Sequence, residues 1–201
     1  MFLIFLTSGT ASALIMTSLY GDIDGYGIGV PVNGSYTGYY PTLSKNSPAD
    51  VGTITDEWLI GDKAWSQTYN ISNFLSISAV SLEVTTLGQG WHGLSALYFD
   101  GQLMGTLTDG DNSGASLATN WSRRDVFNLS SCISLLDGVS AIRIDTYGTN
   151  NDQWALDYSK LTISGLGRGE VPSNPVPEPA TLILIGTGLL GLAGFRRKMK
   201  K

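Results

Sequence analysis

Residues 97–107 read Leu97-Tyr98-Phe99-Asp100-Gly101-Gln102-Leu103-Met104-Gly105-Thr106-Leu107. Leu97 and Phe99 alternate with Tyr98 and Asp100, the two-residue period of a half-buried strand. Asp100-Gly101 then offers two residues that accept the backbone angles of a tight hairpin turn, and Leu103–Leu107 resumes the apolar content beyond it. The same period recurs elsewhere. Val80, Leu82 and Val84 alternate with Ser81, Glu83 and Thr85, and Ile142 and Ile144 with Arg143 and Asp145. Trp154, Leu156 and Tyr158 alternate with Ala155 and Asp157, and Leu161 and Ile163 with Lys160 and Thr162. Short strands separated by Gly, Asn and Asp turns predict an all-β body, a β-sandwich of jelly-roll type. Leu129 to Leu136 predicts a short helical turn, with Ser130 or Ser131 as its cap.

Composition agrees with strands and turns. Charged residues are 14% of the 201, Gly reaches 25, and Asp greatly outnumbers Glu. Long surface helices draw on Glu, Lys, Arg and Ala, whereas Gly, Asn and Asp suit turns. The formal net charge is -5, but five of the twelve basic residues fall within the last six positions. Residues 14–175 hold 7 basic and 16 acidic residues, so the body stands near -9. Such a body repels nucleic-acid phosphate and attracts cations such as Ca²⁺. The single cysteine, Cys132, excludes an intrachain disulfide and sits in an apolar stretch that predicts a buried thiol. With one histidine, His92, a histidine-rich zinc site is excluded, and only a Ser/His/Asp triad built on His92 itself survives.

Both ends read as targeting segments. Residues 1–13, MFLIFLTSGTASA, place a short apolar run before Ala11-Ser12-Ala13, a site of the small-residue kind that signal peptidase accepts. The positive charge that normally precedes the apolar run is missing, which fits a signal peptide truncated at its start; the alternative is a buried first strand. At the other end, residues 170–179 carry four of the seven prolines and predict an extended spacer. Residues 180–195, ATLILIGTGLLGLAGF, contain no charge. As a helix they span roughly 24 Å, a little less than the roughly 30 Å hydrocarbon core, with basic side chains able to snorkel at the far end. Residues 196–201 follow, with Arg196, Arg197 and Lys198 marking the cytoplasmic side of a transmembrane helix. The alternative is a buried helix of a soluble domain, but this run has no polar face.

The succession Val176-Pro177-Glu178-Pro179, a Gly- and Leu-rich apolar run, then Arg196-Arg197-Lys198 resembles the PEP-CTERM sorting domain. The resemblance covers about the last 26 residues, and it is specific because motif, helix, basic cluster and position occur in order. It implies recognition of Pro177, Glu178 and Pro179 by an exosortase, a membrane transpeptidase of Gram-negative bacteria that make extracellular polysaccharide. The implied route is export across the inner membrane, removal of the leader by signal peptidase, and a membrane-anchored precursor sorted to the cell surface or matrix. More loosely, Gly21-Asp22-Ile23-Asp24-Gly25-Tyr26-Gly27 and Leu156-Asp157-Tyr158 are similar to exported domains that accompany this tail, and they imply no activity.

In the body, residues 14–169, three groups invite chemistry. Asp109, Asp111 and Ser113, with Gly114 at the sharp turn, match the opening of an EF-hand loop, but Asn120 stands where that loop needs its bidentate Glu. Asp22 and Asp24, meeting Asp157 from a late strand, form a second candidate for structural calcium, against ordinary Asx turns. Trp91, flanked by Gly88, Gly90 and Gly93, and Tyr39 with Tyr40 offer flat rings for a sugar, against the filling of sheet ends. No nucleophile elbow or phosphate loop is present, and a carboxylate pair for glycoside hydrolysis is available by chance among the sixteen acids of residues 14–175. The expectation is therefore a non-catalytic structural or adhesive body tied to extracellular polysaccharide or biofilm. A carbohydrate-binding module is the alternative, and a polysaccharide hydrolase the third reading.

Overall fold

The computed structural model describes residues 12–37, 41–90, 93–110, 119–146 and 153–168. Among these residues the strands, in chain order, are β1 (Ser12–Gly21), β2 (Ser35–Thr37), β3 (Trp58–Ile60), β4 (Lys63–Thr68) and β5 (Phe74–Leu87), then β6 (Ala96–Phe99), β7 (Gln102–Thr106), β8 (Thr119–Asn128), β9 (Val139–Asp145) and β10 (Gln153–Gly167). The body is all-β. One sheet has the order β1-β10-β5-β8-β2, with β3 also paired to β10, and the other has the order β4-β9-β6-β7. The strand pairs are antiparallel.

The turn between β6 and β7 is where this order starts. Asp100 and Gly101 have φ of 48° and 79°, the left-handed pair that makes two strands fold back with their natural twist. Outward from that tip the strands pair in nested fashion: β6 with β7, β5 with β8, β4 with β9, β1 with β10. Alternate pairs fall in alternate sheets. A single hairpin therefore sets the path of most of the chain.

Side chains from both sheets enter one apolar cluster. Leu82 and Val84 of β5, Phe127 of β8, and Trp154, Leu156, Leu161 and Ile163 of β10 meet Trp65, Leu97, Phe99, Ile142 and Ile144 of the smaller sheet. Each fully buried aliphatic side chain contributes about 1.5–3 kcal/mol relative to exposure. A polar clasp also joins the sheets: Gln67 of β4 donates through Nε2 to the carbonyls of Ser18 (3.1 Å) and Ser159 (2.8 Å), and accepts from Ser159 Oγ (3.1 Å). Cys132 is fully buried beneath Met104 and Gln102.

Three sequence expectations are adjusted here. The helical turn exists over Ser130–Leu135, but Ser130 and Ser131 lie inside it. Asn128 Oδ1 instead accepts from the Ser130 N–H (2.9 Å). Tyr158 does not share a face with Trp154 and Leu156. Leu156 pairs with Thr86 and Tyr158 with Thr85, so Asp157 is an extra, bulged residue. The bulge reverses the alternation, turning Leu161 and Ile163 to the core and Tyr158 toward Glu83 on the other face. Finally, β1 begins at Ser12, opposite Gly167, so Ser12 and Ala13 of the predicted leader lie in this strand. Residues 1–11 and 169–201, and with them the predicted spacer and transmembrane helix, lie outside the described residues. No described helix is long and apolar enough to cross a membrane.

Candidate functional site

The most unusual chemistry lies where β1 ends. Gly21 closes the strand at φ 77°, and a side chain there would lie 2.5 Å from both the Asp157 carbonyl oxygen and Thr55 Cγ2. The chain therefore passes tightly over the β10 bulge, and Asp22 and Asp24 follow at once. The next segment, Gly25–Gly29, coils through left-handed angles at Gly25, Tyr26, Gly27 and Gly29. Glycine adopts them freely, whereas Tyr26 is held there by its surroundings. Its ring is fully buried and its hydroxyl meets Ser122 Oγ at 3.1 Å. Its backbone N–H donates to Asp157 Oδ1 (2.9 Å), as does that of Gly25 (3.1 Å). Asp24 Oδ1 accepts from the Gly27 N–H at 2.7 Å.

A second loop reaches the same place. Asp50 ends the short turn Pro48–Asp50 and is fully buried, with Oδ1 accepting from Thr55 Oγ1 at 3.0 Å. Thr55 bridges to Leu156 in parallel fashion, and the Asp56 N–H donates to the Leu156 carbonyl at 2.8 Å. Asp56 itself has φ 55°, which swings its side chain back toward β1. It is 2% exposed, and neither of its carboxylate oxygens has a hydrogen-bond partner. One oxygen each of Asp22 and Asp50 is likewise buried and unpartnered.

Oxygens of Asp22, Asp24 and Asp56 lie within 4.8 Å of one another. No lysine or arginine forms an ion pair with these three, or with Asp50 or Asp157, among the described residues. The electrostatics follow from that. Burial, then the carboxylates of Asp24, Asp50, Asp157 and Asp22, push the Asp56 carboxyl up to about 9. Burial lifts Asp157 to about 6, with Asp24 and Asp22 adding to the rise and the Tyr26 and Gly25 N–H groups opposing it. Asp22 is also raised, by burial and by Asp24 and Asp50, against a hydrogen bond from Ser47. Such a group can hold protons or a hard cation, and it cannot donate or accept freely at a surface. A neighbouring hollow of about 210 Å³, lined in part by Ile23, Asp24, Gly25, Val30 and Asp157, connects this junction to solvent.

Of the residues the sequence singles out, the structure thus gathers Asp22, Asp24 and Asp157. Asp50 and Asp56, which sequence reasoning missed, stand beside them; the only sequence signal was a Ser/Thr/Asp-rich loop, which reads as ordinary turns. Asp109 is placed apart, its carbonyl accepting from Arg123 Nε at 2.9 Å. Asp111 and Ser113, Trp91, Tyr39 and Tyr40, Pro177 to Pro179, and Arg196 to Lys198 lie outside the described residues.

Residues 175–198 match the family model of the PEP-CTERM protein-sorting motif. The motif implies processing by an exosortase, with export and a membrane-anchored precursor in a Gram-negative bacterium. No curated protein matches the chain.

Proposed function

We propose that this chain is an exported, exosortase-sorted protein whose body is a structural or adhesive module of the cell surface or polysaccharide matrix, without catalytic activity. The sorting motif over residues 175–198 carries the reading. The tail stays in the membrane through residues 180–195, and Pro177-Glu178-Pro179 is the segment presented for recognition. A leader removed near Ala13 completes the route. The body is a jelly-roll sandwich in this reading; the nested strand pairing and the single core shared by both sheets support it. Fold alone assigns no activity. Glycoside hydrolysis needs two carboxylates facing a cleft that admits a sugar, and Asp56, 2% exposed, is not placed as one of them.

The test is Glu178→Ala in the native host, with both termini of the product mapped by mass spectrometry. The variant is expected to accumulate as a membrane-held precursor retaining Arg196 to Lys201, while the wild-type chain ends near Pro179. Identical processing of the two would remove the exosortase from the account.

A further inference from the structure

We propose that the Asp22, Asp24 and Asp56 carboxylates bind one calcium ion, which fastens the end of β1 to the loop before β3 and to the bulge of β10. The argument starts from distance. Ca²⁺ takes oxygen ligands at about 2.3–2.6 Å, so two ligands of one ion are separated by no more than roughly 5 Å. The three carboxylates, mutually within 4.8 Å, meet that limit. Like charges do not gather this closely without compensation, and none of the three has a cationic partner among the described residues.

A second observation separates this group from an ordinary acidic patch. Asp56 is 2% exposed, neither of its oxygens has a hydrogen-bond partner, and one of them lies within 4.8 Å of the Asp22 and Asp24 oxygens. A buried polar atom left without a partner costs about 1–3 kcal/mol. Its backbone N–H is fixed to Leu156 and its left-handed φ is sterically unusual, so the side chain is aimed rather than stranded. Asp22 Oδ1 is buried and unpartnered too. A divalent ion would satisfy all of these atoms at once.

The remaining acids have supporting parts. Asp157 spends Oδ1 on the Gly25 and Tyr26 N–H groups, holding the coil that presents Asp24. Asp50 is fixed by Thr55 and adds negative charge beside Asp56. The donor set is all oxygen, which suits Ca²⁺ rather than zinc, and Cys132 lies in a different part of the fold, beneath Met104. Mg²⁺ prefers to keep several waters and a rigid octahedron, a poorer match to three protein carboxylates from two loops.

The experiment uses the full chain in detergent, stripped with EDTA and titrated with CaCl₂ by calorimetry, with thermal melts in parallel. Wild type is expected to bind one equivalent and to melt several degrees higher in calcium. Asp56→Asn keeps the size of the side chain and tolerates the same left-handed backbone. It should fold, yet bind calcium at least about 100-fold more weakly, since even outer partners of metal ligands cost about 10–100-fold. Asp111→Asn, in the other acidic loop, should leave the titration unchanged. The proposal is overturned by a wild-type protein that gives neither heat nor a shifted melt. It is equally overturned if Asp56→Asn retains the calcium response, or if Asp111→Asn alone abolishes it. None of these readings depends on the sorting tail.

Discussion

Two carboxylate sites flank the same bulge of β10, and they are built on opposite principles. On one face Glu83 meets the Tyr158 hydroxyl and, at 3.1 Å, the Lys160 ammonium. Burial would raise its pKa, yet those two donors prevail and hold it below the usual carboxylate range. On the other side Asp22, Asp24 and Asp56 converge with Asp50 and Asp157 nearby and no cation of their own, and Asp56 is pushed up to about 9. Asp157 and Tyr158 are adjacent residues, so the contrast is not one of region; it is one of burial and of partners. The fold can supply a lysine to a carboxylate here and does so for Glu83; at the end of β1 it supplies five acids instead. A site so arranged can hold protons or a cation.

The largest effect is expected at the bulge that separates the two sites. Asp157→Ala removes the acceptor of the Gly25 and Tyr26 N–H groups and leaves both donors buried without a partner. At about 1–3 kcal/mol for each such group, the loss should reach roughly 2–6 kcal/mol. Asp157→Asn retains an acceptor oxygen and should lose only about 1 kcal/mol or less. Urea unfolding of the two variants in EDTA separates the contributions. Equal losses would mean that the charge of Asp157, not its acceptor role, holds the coil.

Glu83→Gln tests the compensated site. It should cost about 1.5–3 kcal/mol at pH 7, the usual worth of a hydrogen bond to a charged group. Because the folded pKa of Glu83 is lowered, its contribution is present above the unfolded carboxylate value, about 4.3, and fades as pH falls through the lower folded value. The difference between variant and wild type should therefore shrink in acid. A pH-independent difference would place the effect in packing rather than in charge.

How much of this was legible in the sequence differs between the two sites for a physical reason. The hairpin at Asp100-Gly101 and the alternation of Leu82, Val84, Ile142 and Ile144 are local patterns, and the structure places each of those side chains in the core. Glu83 is read correctly as outward from its neighbours alone. The bulge is not, because Trp154 to Tyr158 reads as unbroken alternation and no glycine or proline marks Asp157. Arg123, Arg124 and Asp125 mask the period of β8, and only Ser12 and Ala13 of β1 fall within the predicted leader, for which a first strand is the alternative. Asp22, Asp24 and Asp157 stand out by their spacing. Asp50 and Asp56 do not, since only the strand order and the positive φ of Asp56 bring that loop to the same place. Chain-distant partners are set by topology, and topology is not written in any short window.

The last effect is the most discriminating, because it has the opposite sign from ordinary damage. In EDTA, wild-type Asp56 carries a pKa of about 9 when folded and about 3.9 when unfolded. Between those values the folded chain keeps a proton that the unfolded chain has released, so stability falls as pH rises across that window. Asparagine has no proton to lose. Asp56→Asn should therefore match the wild type near pH 4 and exceed it at pH 7 by roughly 4 kcal/mol, with the gap widening toward pH 8. In calcium the order should reverse, because only the wild type gains from the ion. Glu83→Gln offers no such crossing, since its partner is the lysine that the chain itself provides. Melts of both variants at pH 5, 7 and 8, with and without calcium, read the comparison directly. An Asp56→Asn protein that is less stable than wild type in every condition would show that the buried carboxylate already has its counterpart within the fold.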